Sequence, residues 1–378
     1  MARTSFMVDV NPALLKWARE SAGYNVGDAA VHSHLSSAEL SALESGRRKP
    51  TWMVLKKLAK TYKRPTAALL LPEPPQEPAG LPDFRKLHGS AGRYSPELLF
   101  TIRNARWLAA QAAELQEKLQ APARVTLATM ELRDDPETGA ATSRQTLGVS
   151  LEEQASFGSA YQALKRWRGA VEAHNILVFQ FPLSVADARG FSIVEAGQAA
   201  IILNQSDAPT ARIFTLFHEY AHLRLRRPGV CTPEIERTNA QQPVETFCNR
   251  FAAALLLPRM DLEARISETP TDKSLRQLAQ RYMVSRYVVL GRLQSLGRIT
   301  SAQFQQFSRR WQAMDEAAKG PRQGGGGMSA PRRCLSERGK PLVSLVVEAT
   351  KQELITFSDA NKILGVKFKD FRVLAGGA

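Results

Sequence analysis

Five residues, His218-Glu219-Tyr220-Ala221-His222, constrain this chain more than any other feature. Helical positions i and i+4 share a face one turn apart, so both imidazoles reach one metal ion if the stretch is an α-helix. Glu219 sits beside them, where it can take a proton from metal-bound water. With 6 His and 36 acidic residues in 378, such a pattern is expected by chance only about 0.01 times. The flanking residues favour the helix. Asp207 is the expected N-cap and Pro209 falls in the first turn. Ile213, Leu216, Phe217, Tyr220 and Leu223 recur at helical spacing as a buried stripe. His218 and His222 are expected beside that stripe, toward the edge of a cleft.

A catalytic zinc needs a third protein ligand and an open fourth position. Glu245 is the preferred candidate. It opens a segment, Pro243 to Pro258, with Phe247, Phe251, Ala254 and Leu255 on one apolar face. Asn249, one turn further on, is placed to support a ligand from behind. Glu234 and Glu236 are rival ligands in a loop-like stretch between Pro233 and Pro243.

The runs Arg212-Ile-Phe-Thr-Leu-Phe-His-Glu-Tyr-Ala-His222 and Glu245-Thr-Phe-Cys-Asn-Arg-Phe-Ala-Ala-Ala-Leu-Leu-Leu-Pro258 resemble the ImmA/IrrE metallopeptidase family. The resemblance implies a gluzincin-like site with His218, His222 and Glu245 on zinc and Glu219 as general base. Two departures leave the ligands intact. Tyr220-Ala221 stands where the family often has Leu-Gly, and Cys248 where it usually has Ala. Cys248 reads as a small buried residue.

Charge points to a second function. The net charge is +15 and the pI about 10.0, which suits a polyanionic partner, nucleic acid above all. Three cysteines without paired spacing fit a reducing, cytoplasmic setting. No apolar run is long enough for a membrane span, and the first residues lack a signal-peptide core.

The N-terminus carries the charge in a recognisable frame. Short helices are expected from Asn11-Pro12, over Val26–His32 and Ser36–Glu44, and from Thr51. Four or five such helices, with Gly46-Arg-Arg-Lys-Pro50 after the third, resemble an Xre-type helix-turn-helix. That resemblance implies a third helix in the major groove of double-stranded DNA. Ser36, Ser37 and Glu39 would face the bases, and Arg47, Arg48 and Lys49 would meet phosphates. The alternative is a helical interaction module without DNA binding, because the third helix carries no strong base-reading Arg or Gln.

The expected organisation is α+β and mostly helical. Residues 1–71 form the helix-turn-helix, and 72–82 a Pro-rich linker. Residues 83–258 form a zincin-like core with a small sheet. Within it, Ser95-Pro96 opens a long helix bearing Leu98, Leu99, Ile102, Trp107 and Leu108, and Ser150 to Glu153 has capping-box form. Strands are expected at 175–182, 191–194 and 200–203, with Gly197 in a turn. His174 reads as a surface residue. Leu81-Pro-Asp-Phe-Arg85 also matches fusions of the two families. Residues 259–318 are helical, and 275–293 read as a second helix-turn-helix or as a helical pair bracing the core. A Gly-rich linker at 319–331 precedes a helical module at 332–378. The implied protein is a cytoplasmic regulatory zinc endopeptidase, with manganese as an alternative metal. DNA and a repressor or antitoxin substrate are its partners, and homodimerisation is left open. Toxin–antitoxin control or a stress response would be its setting. The rival is a non-proteolytic regulator or antitoxin that uses the zincin fold as a sensor.

Overall fold

The computed structural model describes residues 6–76, 94–121, 127–184, 187–231, 243–266, 270–317 and 327–376. They fall into two compact units, 6–76 with 94–104, and 105–376. Leu81 to Arg85, Glu234 and Glu236 lie outside the described residues, as do 77–82 of the Pro-rich segment and 319–326 of the Gly-rich one.

The first unit forms because each helix start is capped by its own sequence. Helix α1 (Pro12–Ser21) begins at Asn11, whose side chain accepts from the Ala13 N–H. Asn25 caps α2 (Val26–Ser33). Ser36 and Glu39 close a reciprocal capping box on α3 (Ser37–Glu44). Thr51 caps α4 (Trp52–Thr61), and a 3-10 turn follows at Thr66–Leu70. Leu15, Ala18, Leu40, Leu55, Leu58 and Tyr62 make the core of the unit. Arg19, 6% exposed, donates to Glu44 at 2.7 Å inside it. Helix α5 (Pro96–Lys118) runs on from this unit. Its first turns, expected in the 83–258 block, fold with the helix-turn-helix core through Phe100. Trp107, expected on its apolar stripe, is 40% exposed.

The second unit stacks helices against a four-stranded sheet. Its first helices are α6 (Pro136–Leu147), α7 (Leu151–Ala155) and α8 (Ala160–Glu172). Ser150 caps α7 at the Glu153 N–H, but the Glu153 carboxylate turns to Arg166 at 2.6 Å, so the box is only half made. Strands β1 (Leu177–Phe181), β2 (Gly190–Glu195) and β3 (Gln198–Asn204) follow. Ala196 and Gly197, both at positive φ, turn β2 into β3 as a two-residue hairpin. Helix α9 (Pro209–Arg224) carries the two histidines, and β4 (Val230–Cys231) is too short for sequence periodicity to reveal. The sheet order is β1-β3-β2-β4, with β1 parallel to β3 and the other pairs antiparallel. Helix α10 (Pro243–Leu256) packs on both α9 and α6, and α11 (Arg259–Glu263) follows it.

Helices α12 (Asp272–Tyr282) and α13 (Arg286–Ser295) are a brace rather than a second groove reader. Val288, Val289, Leu290, Arg292 and Leu293 are all buried in the same core as α9 and α10, leaving α13 no free face for DNA. Helix α14 (Ser301–Ala317) adds Phe304 and Trp311 to that core. The tail folds as α15 (Ala330–Arg338), α16 (Lys340–Lys351), α17 (Phe357–Leu364) and α18 (Phe368–Gly376). Ala330 and Pro331, read as linker, instead open α15, where proline's missing N–H costs nothing. Helix α15 packs on β1, and its Ser336 carbonyl accepts from Arg168 and Gln180 at 2.6 and 3.0 Å. Among the described residues no helix is long and apolar enough to cross a membrane.

Candidate metal centre

Helix α9 is the spine of the second unit. Every residue from Arg212 to Arg224 is buried, because β2 and β3, α8 and α10 all pack against it. The expected placement of the histidines at a cleft edge is therefore corrected. His218 and His222 are both 0% exposed. Asp207 is not the N-cap either. Ala208 takes that position without a side-chain bond, while the Asp207 carboxylate pairs with Arg189 at 3.1 Å. A tertiary ion pair outcompetes the local cap.

Helix α10 lies across α9 and brings Glu245 to the histidines. Nε2 of His218 lies 3.2 Å from Nε2 of His222. The Glu245 oxygens lie 3.3 Å from His218 Nε2 and 2.9 Å from His222 Nε2. A tetrahedral ion bonded at about 2.0–2.1 Å sets its donors about 3.3 Å apart. The three separations therefore fit three vertices of one such tetrahedron, with the fourth left for water or substrate. Among the described residues these three form the group of His, Cys, Asp and Glu side chains close enough to share an ion.

Protonation supports the fit. The Nδ1 of His222 lies 2.9 Å from the Arg227 carbonyl. A carbonyl only accepts, so this Nδ1 carries the proton and Nε2 presents a lone pair. The Nδ1 of His218 meets Asn249 Oδ1 at 2.9 Å in the same way. Two imidazole lone pairs and a carboxylate converge on one point, and a cation is what that point accommodates. Burial alone would raise the Glu245 carboxyl, but the charge and hydrogen bonds of His218 and His222 hold it well below the ordinary carboxylate range.

Glu219, 0% exposed, is oriented from the sheet. Ser192 Oγ on β2 donates to its Oε2 at 2.9 Å. Sequence reasoning missed Ser192, since nothing local marks a strand serine as a neighbour of α9. The close approach of β2 depends on Gly190, where an added Cβ would lie 2.5 Å from Thr215 Cγ2 and 2.8 Å from the Ile202 carbonyl.

Comparison with known proteins assigns both units. Residues 13–70 match the model of a helix-turn-helix domain, and residues 171–294 match that of the IrrE N-terminal-like domain. The chain joins a helix-turn-helix domain to an IrrE N-terminal-like domain. Over 90 residues it is 33% identical to the radiation response metalloprotease IrrE of Deinococcus radiodurans. That stretch is 22% of this chain and 27% of that protein, so the match spans about a quarter of the relative's length. The IrrE-like domain takes in α9, α10 and the α12–α13 brace. Cys248 sits in its core at 0% exposure, and burial, then Glu245 and Glu219, push its thiol well up. It is an inert filler, as its small size implied.

In the helix-turn-helix domain the expected DNA-facing residues cluster at the two ends of α3. Ser36 and Ser37 are exposed at its start. Glu39 is engaged in the capping box and pairs with Arg48 at 3.2 Å. Arg47, Arg48 and Lys49 are all exposed beyond its end, with Lys49 3.1 Å from Asp9. His174 is half-buried rather than on the surface, and its ring Nε2 lies 3.2 Å from the Thr146 carbonyl.

Proposed function

We propose that this chain is a regulatory zinc endopeptidase that its helix-turn-helix domain delivers to DNA. The observation that carries the reading is the convergence of the two unprotonated Nε2 atoms and the Glu245 carboxylate at tetrahedral spacing. His218, His222 and Glu245 hold the ion, with Asn249 and the Arg227 carbonyl fixing the imidazoles from behind. Zinc is the metal this N2O donor set favours, with manganese the second choice. When bound, the ion supplies Lewis acidity for hydrolysis.

The remaining steps belong to the protein. Glu219, next to His218 and oriented by Ser192, takes the proton of the attacking water. It then returns that proton to the amine nitrogen as the peptide bond breaks. The dry surroundings of α9 keep the carboxylate in one orientation through both transfers. A buried carboxylate beside the ligands has no use in a purely structural or sensing site, which favours hydrolysis over a non-proteolytic regulator.

Ser36, Ser37 and Glu39 are the proposed base-facing group, and Arg47, Arg48 and Lys49 the phosphate-facing group. The proposed substrate is a narrow protein target, a helix-turn-helix repressor or antitoxin whose cleavage frees a regulated operon. The direct chemical test is Glu219→Gln. The variant is expected to keep its bound zinc and lose peptide hydrolysis, and hydrolysis that survived the change would overturn the mechanism.

A further inference from the structure

Behind α9, on the side away from the metal ligands in sequence phase, lies a second feature that hydrolysis does not use. Tyr220 and Arg224 line a cavity of about 340 Å³ together with Thr142, Ser143, His174 and Asn175. Arg224 is 6% exposed, yet it pairs with no carboxylate among the described residues. Its bonds go to neutral groups: Nε to the Ala128 carbonyl at 2.8 Å, and Nη1 to the Gly139 carbonyl at 3.1 Å and Ser143 Oγ at 2.5 Å. A guanidinium keeps its charge inside a protein, and burying a charge without a counter-charge is costly.

A second donor waits on the opposite wall. Asn175 is held in the left-handed region at φ 58°. Its Oδ1 accepts from Gln116 Nε2 at 2.9 Å, and its carbonyl accepts from Gln198 Nε2 at 2.7 Å. Its buried Nδ2 has no partner among the described residues. A buried amide donor left unsatisfied is itself unfavourable. Two glutamines thus fix an asparagine in a strained conformation that points an unused donor group into the same region as an unbalanced cation.

We infer that this cavity binds a small oxyanion, a phosphate or carboxylate group, between the Arg224 guanidinium and the Asn175 amide. An oxyanion supplies both missing terms, the counter-charge and the acceptor. Its size is bounded by the cavity, which admits inorganic phosphate or a short dicarboxylate but not a polymer. Because Arg224 and Tyr220 belong to the same helix as His218 and His222, the occupant touches the metal helix from its far side. The inference does not rest on the peptidase reading, and its test needs no cleavage assay.

Calorimetric titration of the full chain with inorganic phosphate, and separately with succinate, reads the site directly. One equivalent of phosphate or succinate is expected to bind, and which of the two binds identifies the source. Asn175→Asp keeps the oxygen that Gln116 needs and places negative charge at Nδ2. It is expected to weaken binding by about tenfold or more. Thr142→Phe, on an exposed lining position of α6, is expected to block the cavity without touching Arg224. Absence of binding by either anion up to about 10 mM overturns the inference. Binding that neither variant changes also overturns it, since the anion then sits on another basic surface or at the metal centre.

Discussion

Asn249→Ala separates the metal centre from its scaffold. Each imidazole is held by an acceptor at Nδ1, but the two acceptors differ in kind. His222 leans on the Arg227 main chain, which no side-chain substitution removes. His218 leans on the Asn249 side chain at 2.9 Å. Losing such a supporting group lowers metal affinity by about 10–100-fold, or about 1.4–2.7 kcal/mol. Asn249 is only half-buried on α10, so the truncation leaves no large void in the core. Asn249→Asp keeps an acceptor oxygen in place and adds charge, so its affinity should match or exceed wild type. Competition for zinc against a chromophoric chelator measures all three, with circular dichroism confirming intact helices. Affinity in Asn249→Ala within about twofold of wild type, alongside complete loss in His218→Ala, would refute the role given to the supporting shell.

Other consequences are independent of zinc. Gly190→Ala drives a methyl toward the Ile202 carbonyl and Thr215, and should lower unfolding stability by about 1–3 kcal/mol in a denaturant titration. Asp261 is held below its ordinary range by hydrogen bonds from Arg265 and Tyr282 that outweigh burial. A depressed folded value means that its stabilisation is present above the unfolded value, about 3.9, and is lost as pH falls through the folded one. The gap in urea midpoint between wild type and Asp261→Asn should therefore narrow as pH falls below that value, and a constant gap would contradict the assignment. Replacing Arg47, Arg48 and Lys49 together by Ala should flatten the slope of log K for duplex DNA against log salt by about 2.7. An unchanged slope would remove these side chains from the phosphate contacts.

What was legible in the sequence was mostly local. The caps at Asn11, Ser36 and Thr51, the αL glycine in the β2–β3 turn, and the helical spacing around His218 need only near neighbours to act. The errors share a tertiary cause. Asp207 had cap chemistry, but Arg189 lies close enough to claim it. Helix α9 looked amphipathic because only one stripe was aliphatic. It is buried all round, and its polar residues are satisfied by partners such as Ser192, Asn249 and the Arg227 carbonyl. Helix α6 went unread because its buried face is Ala140, Ser143 and Leu147, small residues that give little periodic signal but let α10 approach closely. The α12–α13 pair fits a helix-turn-helix and a brace equally well in sequence. Only the burial of Val288, Val289 and Leu290 in the IrrE-like core separates the two.

The central claim is that this protein hydrolyses a protein target through Glu219 at a metal held by His218, His222 and Glu245. Mass-spectrometric mapping of new protein N-termini in source cells, with and without stress, tests it most directly when wild type is compared with Glu219→Gln. The account predicts a terminus that appears only with the wild-type chain and lies within a regulatory protein such as a repressor or antitoxin. Identical termini in both strains under every condition would contradict it and leave the helix-turn-helix domain as the working part.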